Sequence, residues 1–186
     1  MSELLDSLRR RGIKVVEDDP RSPRKARLAI VGEALGAAEE HYGFPFVDYT
    51  DPKTPWDYAT AGFVLNKVLR NAGVRREECY ITNVVPIRPP NNDLNRLSEL
   101  GLQTSDFLSD LYFRLKNVNP SCILALGGVS SSVLAAMVSS GITTTRGSIV
   151  PCVALPNVKV VPTFHPSFIA RYDDPCGRWP RPPRCR

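Results

Sequence analysis

Residues 28–47 read LAIVGEALGAAEEHYGFPFV. The run Leu28–Val31 is apolar throughout and is ended by Gly32, the pattern of a strand buried on both faces rather than one with a wet side. Three later segments have the same character: Tyr80–Val85, Cys122–Leu126 and Val158–Phe164. Helical periodicity fills the intervals. Phe63 and Val64 continue through Asn66, Lys67 and Val68 to Leu69 and stop before Gly73; Phe107, Leu108, Leu111, Tyr112 and Leu115 share a face ending before Asn119 and Pro120. Val133, Leu134, Met137 and Val138 predict a further helix that ends near Gly141. Apolar strands alternating with helices predict an α/β fold: a three-layer α/β/α domain on a roughly four-stranded parallel sheet with right-handed crossovers. In such a sheet, ligands bind outside the carboxyl ends of the strands.

The chain, at 186 residues, has the length of one ordinary domain. With 42% hydrophobic and 23% charged residues it is too apolar for a wholly disordered chain. No apolar stretch approaches the roughly 20 residues of a membrane span. Met1–Arg11 is polar and amphipathic, unlike a signal peptide, so an intracellular, cytoplasmic protein without a membrane partner is expected. The net charge of +5 is uneven: +3 over residues 1–27, −1 over 28–170 and +3 over 171–186. Three segments follow. Residues 1–27 are a basic helix, with Leu4, Leu5 and Leu8 on one side, and a linker; 28–171 are the folded domain; 172–186 are a basic, Pro-rich tail expected to be disordered, since Pro175, Pro180, Pro182 and Pro183 forbid a helix. Basic ends suit contact with phosphate, or are simply solvated.

Five cysteines, at 79, 122, 152, 176 and 185, form no CxxC pair, and the histidines are His41 and His165. No metal site is expected from that spacing. Cys79 and Cys122 lie in strand-like runs and read as inert core thiols. The loop after the first strand, Gly32-Glu33-Ala34-Leu35-Gly36, matches neither G-x-G-x-x-G nor G-x-x-x-x-G-K-[ST], which removes the main argument for a nucleotide cofactor. Instead the strand ends each deliver one polar group suited to a small planar ligand: Glu33, Asn83 and His165.

Taken in order, Gly32-Glu33-Ala34-Leu35-Gly36, Pro45-Phe46-Val47, Thr82-Asn83-Val84-Val85 ahead of Arg88-Pro89-Pro90, and His165-Pro166-Ser167 resemble the uracil-DNA glycosylase superfamily, in particular its family 4 branch, over residues 28–171. The resemblance implies hydrolysis of the N-glycosidic bond of uracil in DNA, leaving an abasic site for base excision repair, with uracil-containing DNA as partner, no cofactor and a monomeric enzyme. It implies His165 as the group that bonds uracil O2 as the base leaves as an anion. Asn83 would read O4 and N3–H, and Phe46 would stack on the extruded base, with Gly32 and Gly36 completing the uracil site. Glu33 would orient water or stabilise the cationic sugar, and Glu39 is a weaker catalytic candidate. A loop of Pro166, Ser167, Phe168, Ile169 and Arg171 would contact DNA and fill the gap in the stack. Each has a structural alternative: a capped core histidine, a turn asparagine, a core phenylalanine, a loop-bracing glutamate. A catalytically silent relative that recognises a base without excising it is the rival reading.

The sequence departs from the branch in four places. Leu35 stands where proline is usual. Ile87 stands where a cysteine usually precedes Arg-Pro-Pro, and no cysteine precedes residue 79, so the branch's four-cysteine iron–sulfur cluster is not expected. Residues 49–58, with Tyr49, Lys53, Trp56 and Tyr58, read as an insertion that lines the DNA channel or packs as a solvated loop. The proline-rich end replaces a closing helix.

Overall fold

The computed structural model describes residues 3–48, 61–135 and 141–172. Helix α1 (Glu3–Arg10) and an extended segment lead to β1 (Leu28–Ala34), α2 (Ala37–Tyr42), α3 (Ala61–Asn71) and β2 (Cys79–Val85). After several 3-10 turns come α4 (Leu108–Val118), β3 (Cys122–Leu126), α5 (Gly128–Leu134), α6 (Ile142–Thr145), β4 (Val150–Pro151), β5 (Lys159–Thr163) and α7 (Pro166–Tyr172). The sheet order is β2-β1-β3-β5-β4. β1, β2, β3 and β5 are parallel, as expected, and β4 adds a two-residue antiparallel edge beside β5. Two residues carry no periodicity, so that edge has no sequence signal.

Strand pleating divides the core. Ala29 and Val31 of β1 point to a cluster with Leu5 and Leu8 of α1 and Leu111 and Leu115 of α4, whereas Ile30 points to Leu65 and Leu69 of α3, as alternate side chains must. Both clusters are buried, which is why the strands are apolar throughout.

Four expectations need correction. The fold does not begin at residue 28: α1 buries Leu5 and Leu8 in the main core, and the linker runs beside β2, with Val16 N–H donating to Pro86 O at 2.8 Å, Asp19 N–H to Ile81 O at 2.9 Å, and Asp18 bridged to Thr82. Nor is residues 1–27 a free basic arm. Arg9 pairs with Asp6 and Glu17, Arg11 donates to Leu100 O, Lys14 to His41 O, Arg21 to Asp19 and Asp48, and Lys25 to Asn117 O. In α3 the buried face is Gly62, Leu65 and Leu69, while Phe63 and Val68 stay exposed. The helix read at Val133–Val138 begins at Gly128 and closes at Leu134, because Ala135 turns extended to bridge Cys152; Met137 and Val138 lie outside the described residues. The 49–58 insertion and the tail from residue 173 also lie outside them. No helix among the described residues is long and apolar enough to cross a membrane.

Candidate active site

Parallel pairing sets Gly32 directly opposite Asn83 near the carboxyl ends of β1 and β2. A Cβ at residue 32 would lie 2.2 Å from Asn83 Oδ1 and 2.6 Å from Phe46 Cζ. Glycine is therefore required here for close approach, and its missing side chain makes the space in which the Asn83 carboxamide meets the Phe46 ring. Asn83 and Phe46 are each only 1% exposed. Asn83 Nδ2 is buried with no hydrogen-bond partner. Leaving such a donor unpaired costs about 1–3 kcal/mol, a cost that a ligand acceptor would remove.

The Phe46 backbone has φ +52°, a left-handed conformation that a bulky residue adopts only when its surroundings enforce it. Two sets of contacts do so. The Glu39 carboxylate accepts the backbone N–H groups of Gly36 and Phe46, closing the loop on the start of α2. Burial pushes the Glu39 carboxyl above the ordinary glutamate range, against the two N–H donors and the field of Arg76. On the other side Arg76, nearly buried, donates to Pro45 O at 2.9 Å, to Asp19 at 2.8 Å and to Asn66 Oδ1 at 3.0 Å. Asn66 donates onward to Asp48 at 2.7 Å, and Arg21 spans Asp19 and Asp48. Burial alone would raise the Asp19 carboxyl; hydrogen bonds from Arg21 and Arg76 outweigh it and hold the group below the ordinary aspartate value. Asp48 behaves likewise, through Arg21 and Asn66. The start of α3 closes the frame, since a Cβ on Gly62 would lie 2.0 Å from Val47 O. Sequence reasoning missed this frame: residues 19, 21, 48, 66 and 76 share no motif, and only folding brings them together.

His165 follows β5, and its ring meets Phe46 at a centroid distance of 5.6 Å with a 33° tilt, which is direct ring contact. Nδ1 receives the Ser167 backbone N–H at 3.3 Å and faces Ser167 Oγ at 2.8 Å. An Nδ1 that accepts places the proton of the neutral ring on Nε2. The expected DNA-contacting loop after His165 is instead the start of α7. Pro166 pre-sets the helical φ of the first turn, and His165 O accepts the Phe168 N–H at 2.9 Å. Pro166 is buried, Ile169 is partly buried and Phe168 is 40% exposed; Arg171 lies in the same helix, its side chain outside the described set.

Glu33 stands apart from the Asn83–Phe46–His165 group. Its Oε1 accepts the Val129 N–H at 2.9 Å. The carboxylate lies over Gly127, whose absent Cβ would come within 2.4 Å of Oε1 and whose φ is +98°. Gly127 N–H in turn donates to Thr163 O at 2.8 Å. Glu33 thus ties β1 to the β3–α5 turn, while Oε2 makes no hydrogen bond to a described residue.

The described residues, which include three of the five cysteines, do not fit a four-cysteine iron–sulfur cluster. Cys79 and Cys122 both lie in register with Leu28 from opposite sides, hence two strand spacings, about 10 Å, apart. Burial pushes the Cys79 thiol up to about 11, the reverse of what a thiolate ligand needs. Ile87 is fully buried in the same apolar cluster as Leu97 and Leu102. Among the described residues no cluster of three or more His, Cys, Asp or Glu is arranged to hold a metal.

These features define an α/β domain in which Asn83, Phe46 and His165 come together at the carboxyl ends of the parallel strands. The sequence model of the Uracil DNA glycosylase superfamily matches residues 20–181, and the chain belongs to that superfamily, whose members are hydrolases acting on N-glycosyl bonds. It is 37% identical over 145 residues to a Type-4 uracil-DNA glycosylase of Thermotoga maritima, covering 78% of this chain and 67% of the relative. A Type-4 uracil-DNA glycosylase of Archaeoglobus fulgidus is 31% identical over 149 residues, with the same coverages of 78% and 67%. One of Pyrobaculum aerophilum is 37% identical over 110 residues, 59% of this chain and 48% of the relative.

Proposed function

We propose that this chain is a DNA glycosylase that removes uracil from DNA and leaves an abasic site, the opening step of base excision repair. The observation that carries the reading is the buried, unpartnered Asn83 Nδ2 beside Phe46. Uracil presents an acceptor at O4 and a donor at N3–H, the complement of a carboxamide held with Nδ2 toward O4 and Oδ1 toward N3–H. Phe46 supplies the apolar face that an extruded base needs once its stacking neighbours are gone. Gly32 and Gly36 let the loop backbone approach the base.

Water adds to C1′ as the C1′–N1 bond breaks, and the bonding pair leaves with the base, largely as charge on O2. His165 Nε2–H, oriented by Ser167 at Nδ1, is the donor that stabilises this charge. Glu33 Oε2 orients the water or faces the cationic sugar. Glu39 acts as a positioning group for Phe46 rather than on the reacting atoms, because both its oxygens are engaged by backbone N–H groups. Pro166, Ser167, Phe168, Ile169 and Arg171 present a rigid helical turn to DNA. The enzyme works intracellularly, as a monomer, on uracil-containing DNA.

The direct test is to incubate the protein with a uracil-containing oligonucleotide, cleave abasic sites with alkali and look for the shortened strand. A shortened strand, absent with the matched thymine oligonucleotide, supports the reading. Tight binding with no scission would establish the silent, base-recognising alternative instead.

A further inference from the structure

Arg146 and Phe164, beside His165 but with no part in the chemistry above, adjoin the DNA-facing Phe168. The Arg146 guanidinium lies over the Phe164 ring, 5.2 Å from its centroid. Phe164 is stacked on Phe168, with centroids 5.0 Å apart and planes inclined by 21°. The turn carrying Arg146 is fastened to β5, the strand that leads to His165: Gly147, at φ +78°, donates its N–H to Pro162 O at 2.8 Å. One Arg146 donor goes to Thr143 O; the others make no hydrogen bond to a described residue, and the side chain is exposed. The cation–π contact with Phe164 keeps the guanidinium near the ring face while leaving donors unused, and guanidinium donors match a phosphate.

We propose that Arg146 and Phe164, with Phe168, form a cationic–aromatic strip that takes the single strand next to the extruded nucleotide, Arg146 on a backbone phosphate and Phe168 against the face of the adjacent base. Charge decides the partner: a fixed cation beside surface aromatic rings fits a polyanion whose units carry flat faces, the combination that single-stranded nucleic acid offers. The strip rests on the glycosylase reading for its position relative to the extruded base, but not for its affinity.

The probe is a fluorescein-labelled single-stranded oligodeoxynucleotide without uracil, titrated by anisotropy between about 50 and 300 mM salt. Arg146→Gln is expected to weaken binding about tenfold at the lowest salt and to lower the slope of log Kd against log salt by about 0.7, the share of one phosphate on a single strand. Arg146→Lys restores the slope but not the full affinity, since it keeps the charge and loses the planar stack. Phe168→Ala weakens binding about tenfold with an unchanged slope. A purely structural role for Arg146 would lower the melting temperature and leave the slope alone. An unchanged slope in a folded Arg146→Gln protein overturns the strip. The two readings fail separately: a protein that does not excise uracil yet shows the slope change refutes only the activity, and one that excises uracil with no slope change refutes only the strip.

Discussion

A single methyl group added at residue 32 tests how the pocket is built. Gly32 has an ordinary backbone conformation, so alanine adds no torsional strain, and its whole effect comes from space. The new Cβ would lie 2.2 Å from Asn83 Oδ1 and 2.6 Å and 2.8 Å from two ring carbons of Phe46, all well inside van der Waals contact. Neither neighbour can retreat easily, because both are 1% exposed and Phe46 is held at a left-handed φ by Glu39 and Arg76. Overpacking of this kind costs about 1–3 kcal/mol, or roughly 2–12 °C in melting temperature for a domain of this size. The catalytic loss should be larger. If the displaced carboxamide forfeits both contacts to uracil at a minimum of about 1 kcal/mol each, the rate falls at least about 30-fold. Single-turnover excision from a uracil oligonucleotide, paired with thermal melting followed by circular dichroism, measures both effects. Gly36→Ala is the comparison, since its Cβ meets only Glu39 Oε2 at an ordinary 3.5 Å, and its stability should fall by no more than about 1 kcal/mol, the scale of a weakened helix cap. Excision by Gly32→Ala within threefold of wild type, with an unchanged melting temperature, would refute the packing of Asn83 and Phe46 over this glycine.

Four further outcomes are expected. His165→Ala should lower single-turnover excision about a hundredfold, near 3 kcal/mol, while changing DNA affinity little, because the lost donor acts on charge that appears in the transition state; an unchanged rate in the folded variant would remove His165 from the chemistry. Asn83→Asp should lose most uracil excision by setting acceptor against O4, and gain slight activity on cytosine, whose amino group it accepts; matched uracil and cytosine oligonucleotides decide it. Asp19→Asn should cost about 1.5–3 kcal/mol, the scale of hydrogen bonds to a charged group, because Arg76 and Arg21 lose their shared carboxylate while Arg76 keeps Pro45 O and Asn66. Asp19 titrates in the folded protein below its unfolded value of about 3.9, so its stabilisation is complete above that pH and is lost as pH falls through the folded value. Melting between pH 6 and 3 should therefore show a steeper acid limb in the wild type than in Asp19→Asn. Finally, the purified protein should be colourless, with no stoichiometric iron by metal analysis; about four irons per chain and visible cluster bands would contradict the packing of Ile87.

The sequence by itself determined the elements whose physics is local. Apolar runs at residues 28, 80, 122 and 158, with helices between them, require parallel strands covered on both sides, and the loop motifs after those strands point to the carboxyl-end site. Gly32, Asn83 and His165 were legible because each stands at or just beyond a strand end, and Phe46 because it lies in the Pro45-Phe46-Val47 motif. Only the tertiary structure decided what holds them. The left-handed Phe46 depends on Arg76, well downstream in the chain, and on aspartates at 19 and 48, contacts set by how the linker and α3 pack, for which no short-range pattern exists. The same holds for the N-terminal charges, which read as a free arm in sequence, whereas Arg9, Arg11, Lys14, Arg21 and Lys25 are engaged by carboxylates and carbonyls in the fold. It holds too for Glu33, which as a sequence motif lies next to Gly32 but points across the sheet to Gly127, since neighbouring residues on a strand face opposite sides. Periodicity reports which residues are buried; partners far apart in the chain are chosen by chain geometry, and that information exists only once the sheet has formed.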